Sequence, residues 1–327
     1  MMATTTIFNP TTTIPPLTNK VVFITGGTAG LGRETILSLA THSNNNSPAH
    51  IYFSGRSQGS ANKLIAEVRE AQGNKSQMAL TFIRIDLASM ASIKAGAADF
   101  LARDTRLDVF FANAGVMALP PGLTEDGYEV QFGTNHLGHA ALVKLLLPAM
   151  EATAAAGSSS SGGQDVRIVW NTSQGYKFAS GIDFDGLKTT QDCLSRVYVL
   201  SDWFRYGQSK LANLLYAREI AKRHPNIVSV AIHPGVAFTG LVTGMGTFNR
   251  WFVWATTFTS RMPVEQCAWN QQWAAFAPKG SGDREVVSGC YYEPVGVKGE
   301  LTKLAADDAL AEKLWEWTQR ELSGYGI

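Results

Sequence analysis

The sequence predicts a doubly wound α/β fold, a parallel sheet with helices on both faces. Short β-branched or aromatic runs alternate with longer amphipathic runs, the pattern of successive strand and helix units. The apolar runs are continuous and too short for helices, which suits strands buried on both faces. Glycine is in excess, 31 of 327 residues against an average near ~7%, and several glycines stand where a strand passes into a helix.

An arm at residues 1–19, rich in Thr and Pro, precedes a single domain at 20–327. Residues 21–25 (VVFIT) form the first strand and 33–40 the helix after it. The second strand is 50–53, followed by an amphipathic helix at 61–71. Strands at 80–85 and 107–111 flank a helix at 92–103, and a long helix runs from about 127 to 153. The Ala/Gly/Ser-rich run 154–163 reads as a surface loop, because a strand at 166–170, a helix at 209–224 and a strand at 228–232 resume the alternation beyond it. Two irregular stretches, 176–200 and 239–262, are expected to be lid insertions. The second carries Trp251, Phe252, Trp254 and Phe258, more aromatics than an exposed loop should show.

Twenty-eight basic and 27 acidic residues leave a net charge of +1, too little to hold nucleic acid or an anionic membrane surface. Cys193, Cys267 and Cys290 lie too far apart for a disulfide framework or a zinc site and read as buried thiols in a reducing compartment. No run reaches the ~18 apolar residues of a spanning helix, so a cytoplasmic protein is expected. His136 and His139 lie three apart without a third ligand, which favours helix packing over a metal.

Thr25-Gly26-Gly27-Thr28-Ala29-Gly30-Leu31-Gly32 joins the first strand to the first helix. A dinucleotide fold needs glycines there, where backbone approaches a pyrophosphate and a helix N-terminus offers its N–H groups. The spacing is Gly-x-x-x-Gly-x-Gly. The second strand ends Ser54-Gly55-Arg56-Ser57, with no carboxylate to repel a 2′-phosphate. Arg56 offers a charged fork and Ser57 a hydroxyl, so the expected cofactor is NADP(H).

Tyr206 and Lys210 stand four apart, placed by this reading at a helix start, so that both project from one face. A neighbouring cation favours phenolate, bringing a tyrosine into range for proton transfer. Ser173, Asn113-Ala114-Gly115 and His233-Pro234-Gly235 each follow a strand, where open parallel sheets bind ligands. Trp203, Phe204, Trp251, Phe252 and Trp254 suit either an apolar substrate wall or plain core, and Trp315 and Trp317 suit packing or an oligomer contact.

Taken together these residues resemble a short-chain dehydrogenase/reductase, which implies a Rossmann-type fold. The matches run from Thr25 to Thr239. Gly26, Gly30, Leu31 and Gly32 resemble the cofactor motif, Asp86-Leu87 the pair beside the adenine, and Asn113-Ala114-Gly115 the segment lining the adenosine side. Asn135, Ser173, Tyr206 and Lys210 match the catalytic tetrad, the last two also touching cofactor. Pro234, Gly235, Val236 and Thr239 resemble the segment that holds the nicotinamide. Asn135 to His139 (NHLGH) and Tyr206 to Asn213 (YGQSKLAN) are similar to the retinol-dehydrogenase-like and protochlorophyllide-reductase-like branch. Gly289 to Gly296 is similar to fungal members of specialised-metabolite pathways.

The resemblance implies hydride transfer between NADPH and the carbonyl or alcohol carbon of a hydrophobic small molecule. Tyr206 would donate the proton, Ser173 would bond the same oxygen, Lys210 would lower the Tyr206 pKa, and Asn135 would place a water. It also implies a homodimer or homotetramer. A silent NADP-sensing protein remains the alternative from another class, and an imine-reducing or cyclisation-controlling variant the enzymatic one. One departure is that 33 positions separate Ser173 from Tyr206, more than in the family's simplest members.

Overall fold

In the computed structural model, residues 8–41, 47–73, 78–156, 165–192, 198–236, 254, 261–282 and 285–327 are described. They build one eight-stranded sheet in the order β3-β2-β1-β4-β5-β6-β7-β8. The strands are β1 (Val21–Ile24), β2 (His50–Gly55), β3 (Ala79–Arg84), β4 (Val109–Ala112), β5 (Val166–Asn171), β6 (Ile227–Ile232), β7 (Tyr291–Glu293) and β8 (Val297–Lys298). Every neighbouring pair is parallel except β7 and β8.

β1, β4, β5 and β6 are buried along their whole length, which is why their sequences are mostly apolar, with Arg167, Asn171 and Ser229 as the buried polar exceptions. In β1, Val21 and Phe23 enter one apolar layer while Val22 and Ile24 enter the other, as period-two side chains must. The first layer is closed by α4 (Met90–Arg103), α6 (Gly138–Ala156), α7 (Tyr198–Arg223) and α9 (Asp308–Ser323), through residues such as Phe100, Leu146, Leu215 and Trp317. The second is closed by α2 (Gly30–Ala40), α3 (Gln58–Gln72) and α8 (Val264–Phe276), through Ile36, Leu64 and Trp273. The fold is therefore the doubly wound parallel sheet read from the sequence. The chain runs outward in opposite directions from β1 and β4, and their carboxyl ends open a crevice.

Several boundaries differ from the sequence reading. Residues 127–153 are not one helix: Gly127 has a left-handed φ of 81°, α5 spans only Val130–Phe132, and Gly133–Leu137 is π-helical before α6 begins. A Cβ on Gly138 would sit 2.4 Å from the Leu87 carbonyl oxygen, so the glycine lets this bend pack onto the loop after β3. α7 begins at Tyr198 rather than 209, so Tyr206 lies inside the helix and not at its start. β7 and β8 have three and two residues, too few for a periodic signal. Near the N-terminus, Pro10–Thr13 forms the single-turn α1, and Phe8, Ile14 and Leu17 are buried in the second layer.

Candidate active site

Thr25 follows β1 and ties it to the end of β4. Its N–H donates to the Phe111 carbonyl at 3.1 Å. Its hydroxyl oxygen accepts from the Asn113 and Ala114 N–H groups at 2.9 and 3.0 Å, and Asn113 Nδ2 donates to the Thr25 carbonyl at 2.7 Å. The turn that follows is shaped by glycine. Gly26 has φ 67°, and a Cβ on it would lie 3.0 Å from Ala114 Cα, while one on Gly32 would lie 2.5 Å from the Gly26 carbonyl oxygen. α2 starts at Gly30 with Ala29 at its N-cap and no side-chain cap, so its first turn turns unclaimed backbone donors toward the crevice.

Beside the turn lies a cleft of about 300 Å³ lined by Arg56, Arg84, Asp86, Ser89, Ser92 and Glu125. Arg56 and Asp86 are thus brought together as the motifs required. Ser57 caps α3, its oxygen accepting from the Ser60 N–H at 3.2 Å, which leaves its own hydrogen to donate. Leu87 is buried in the first layer below. Arg84 was missed by the sequence reading, although the β2/β3 register pairs it with Gly55, one residue before Arg56. Among the described residues neither Arg56 nor Arg84 has a carboxylate partner, whereas Arg33 is held by Glu34 and Glu67.

Tyr206, Lys210, Ser173 and Asn135 converge on the crevice. Ser173 Oγ and the Tyr206 ring both face Gly175, whose Cβ would lie 3.3 Å from the one and 2.8 Å from the other, and Lys210 Nζ stands 5.7 Å from the Tyr206 ring centroid. Lys210 Nζ donates to the Asn171 carbonyl at 2.9 Å. A Cβ on Gly115 would lie 3.1 Å from Asn135 Oδ1 and 3.4 Å from Lys210 Nζ, so this glycine makes room for both. Gly175 and Gly207 were also missed by the sequence reading. A Cβ on Gly175 would meet the Tyr206 ring at 2.8 Å, and one on Gly207 would meet the Gly175 carbonyl oxygen at 2.7 Å. Their smallness presses the turn carrying Ser173 against the helix carrying Tyr206.

The Asn135 side chain is fully engaged. Its Oδ1 accepts from the Val116 N–H at 2.7 Å, and its Nδ2 donates to the Val116 carbonyl at 2.8 Å and to Ser209 Oγ at 2.9 Å. His139 Nδ1 donates to the Asn135 carbonyl at 2.9 Å, and its Nε2 accepts from Thr25 Oγ1 at 2.8 Å. That tautomer follows because a carbonyl can only accept. His136 instead reaches Thr318 Oγ1 on α9 at 3.2 Å, so the two rings bond in different directions. Both serve packing, and His139 also joins the glycine turn to Asn135.

The expected lowering of the Tyr206 pKa is corrected by the structure. Burial pushes the phenol up to about 12, only partly offset by Ser173, and pushes the Lys210 ammonium down to about 8. Burial is the largest cause at both groups, so the protein by itself keeps the proton on Tyr206.

Burial also drives His136 to about 3 and His139 and His233 to about 4, below the ordinary 6.5. As pH falls below 6.5 the unfolded chain protonates these rings while the folded chain does not, so stability is lost. Glu129, pushed by burial from 4.5 to about 7, opposes this by one proton. The balance is about two protons between pH 6 and 4.5, a loss approaching ~3 kcal/mol per pH unit. Urea midpoints should fall steeply across that window; a flat profile would contradict the buried neutral rings.

Trp203 and Met117 pack with Tyr206 in one small apolar cluster, and Phe178 lies against Trp203. Trp203 stands edge-on to the Tyr206 ring at 6.3 Å and to Phe178 at 6.3 Å. Trp254 is half exposed, with the Arg261 guanidinium 5.3 Å from its ring, rather than buried in core. Phe204 is partly buried, while Trp251, Phe252 and Phe258 lie outside the described residues. Cys267 is buried, Cys290 only partly so, and Cys193 lies outside the described residues. Trp317 packs edge-on against Tyr128 and Phe132, and Trp315 stacks on Tyr216, so both have partners within the chain.

Pro234 and Gly235 follow β6, Gly235 with φ 96°, and Val236 bridges to Arg261. Thr239 lies outside the described residues, as do 193–197 and nearly all of 239–262. Among the described residues no helix is long and apolar enough to cross a membrane.

A family model for short chain dehydrogenases matches residues 20–172. A short-chain dehydrogenase/reductase of Armillaria gallica is 33% identical over 315 residues, covering 95% of this chain and 93% of the relative. Human retinol dehydrogenase 14 is 33% identical over 318 residues, covering 91% and 84%. A crystal structure of a putative uncharacterized protein from Mycobacterium paratuberculosis superimposes with a TM-score of 0.68 at 25% identity, covering 97% of this chain and 98% of that one.

Proposed function

The chain belongs to the short-chain dehydrogenase/reductase family of oxidoreductases, and on that footing we propose that it moves a hydride between NADP(H) and an apolar carbonyl compound or its alcohol. The observation that carries this is the convergence of the Tyr206 phenol, the Ser173 hydroxyl and the Lys210 ammonium in one buried site beside the glycine turn. The glycine turn and the uncapped start of α2 suit a pyrophosphate, and the cleft beside them suits a ribose carrying a 2′-phosphate. When bound, the nicotinamide supplies or accepts the hydride.

Tyr206, held protonated near neutral pH, gives its proton to the oxygen of a reduced carbonyl, and the Ser173 hydroxyl donates a second hydrogen bond to that oxygen. Lys210 spends one N–H on the Asn171 carbonyl and has two more to offer ribose hydroxyls. Because the Asn135 amide is fully used, a water joining Lys210 to solvent would bond to the Asn135 carbonyl, whose second lone pair His139 leaves open. Phe178, Trp203 and Met117 favour an apolar substrate, and a specialised-metabolite intermediate fits that description. We read the insertions near 176–200 and 239–262 as its lid, the first anchored by the buried Tyr176 and Leu187 and ending where α7 begins at Tyr198, and the protein as cytoplasmic and a homodimer or homotetramer.

Calorimetric titration tests the cofactor. NADPH should bind at least tenfold more tightly than NADH, and equal affinities would overturn NADP(H) as the cofactor. Arg56→Ala and Arg84→Ala should each weaken NADPH about tenfold or more and NADH less than threefold, since a charged hydrogen bond contributes ~1.5–3 kcal/mol. NADPH consumption against a panel of ketones, aldehydes and polyketide-like carbonyls then tests the reaction.

A further inference from the structure

Among the described residues two that are not glycine have left-handed backbones, Ala118 and Gln191, both with φ 48°. Such a conformation is strained by about 1–3 kcal/mol and persists only where surroundings hold it. Ala118 lies in the loop after β4, buried with Trp203 and Tyr206 in one small apolar cluster. Gln191 lies in the segment after Ser173, also buried. Ala118 thus packs with Tyr206 itself, and Gln191 is bonded to Gln208, two residues beyond it.

Both are gripped by one side chain. Arg205, immediately before Tyr206 and fully buried, donates from Nη2 to the Leu119 carbonyl at 3.0 Å and from Nη1 to the Gln191 carbonyl at 3.3 Å. Its charge is met by Asp202 Oδ1 at 2.5 Å and by Glu129 Oε1, 3.3 Å from Nε. Glu129 is itself tied down, its other oxygen accepting from the Phe132 N–H at 2.6 Å and its own N–H donating to the Leu187 carbonyl at 2.8 Å. Gln208, two residues beyond Tyr206, accepts from the Asp183 N–H at 2.7 Å and donates to Gln191 Oε1 at 2.9 Å.

We propose that Arg205 is a positioning residue, a buried guanidinium clamp that fixes the two strained loops to the Tyr206 helix and so sets the shape of the substrate pocket. A buried cation with two carboxylate partners is a poor source of net stability, because desolvation consumes much of the attraction. What the planar fork adds is simultaneous reach to two carbonyls on separate loops, which a lysine's point charge cannot reproduce. The proposal rests on the reading of this crevice as the substrate site.

Arg205→Lys keeps the charge and removes the fork. Hydrogen exchange in peptides covering 116–123 and 183–192, measured without substrate, should quicken at least tenfold in both segments while β1, β4 and β5 stay as in the parent. KM for the ketone turned over fastest should rise at least tenfold, kcat should fall less than threefold, and NADPH affinity should hold within twofold. Adding Ala118→Gly to Arg205→Lys relieves one strained backbone and should restore KM and the exchange of 116–123 by at least threefold.

Parent-like exchange in both segments, or no recovery with Ala118→Gly, would overturn the clamp. If Arg205→Lys does not fold, Glu129→Gln carries the same comparison at about pH 8.5, where Glu129 is ionised: it keeps the acceptor for Phe132 and loses the charge opposite Nε. At least threefold faster exchange in both segments then supports the clamp, and parent-like exchange overturns it. Absence of ketone turnover by the parent protein would overturn only the functional reading, because exchange is read without substrate.

Discussion

Tyr206→Phe is expected to cut turnover about a hundredfold or more while NADPH affinity stays within about twofold. The substitution removes one oxygen from a ring that is already buried between Gly175, Trp203 and Lys210, so packing should survive it. What is lost is the proton that burial holds on the phenol. Phenylalanine cannot neutralise a developing alkoxide, and Ser173 alone supplies a hydrogen bond without a net proton. Stopped-flow measurement of NADPH oxidation separates this from a binding defect. Retention of more than about a tenth of the rate would remove Tyr206 from the role of general acid.

The same environment explains why part of the site could be read from sequence and part could not. The glycine turn, Asn113, Ser173 and Pro234 all follow predicted strands, so their convergence follows from the alternation of strand and helix. The grip on Tyr206 is not local. Arg205 meets Glu129 and Leu119 from far along the chain, and those contacts have no signature in spacing. Arg167 shows the same limit within a strand: it reads as a polar interruption of β5, yet it is buried and donates to the Ala274 and Ala277 carbonyls at 3.0 and 2.7 Å. The start of α7 was hidden because Phe204, Tyr206 and Gly207 are indifferent helix formers, and packing decides there. The sign of the Tyr206 shift was missed because a sequence displays the neighbouring lysine but not the depth at which both groups lie.

Two glycine-to-alanine changes should act with opposite sign, and the contrast isolates close approach from flexibility. Gly32 is buried inside α2, where alanine would ordinarily help the helix by up to ~1 kcal/mol. Its Cβ would stand 2.5 Å from the Gly26 carbonyl oxygen and 2.7 Å from Asn113 Nδ2. Neither atom can yield cheaply, since Gly26 sits at φ 67° in the turn and Asn113 is fixed to the Thr25 carbonyl. Gly32→Ala should therefore cost about 3 kcal/mol, lower the melting temperature by roughly 4 °C for a chain of this length, and weaken dinucleotide binding by more than the tenfold expected from either arginine. Gly59 lies in α3, exposed, and the nearest atom to its Cβ is Ser57 Oγ at 3.9 Å. Gly59→Ala should leave binding intact and raise stability by about 0.5 kcal/mol, because only the backbone entropy of the unfolded chain changes. Differential scanning calorimetry with and without NADPH reads both effects. Gly32→Ala with parent-like melting and affinity would mean that the turn has room to spare, and the glycine at 32 would then owe nothing to the cofactor.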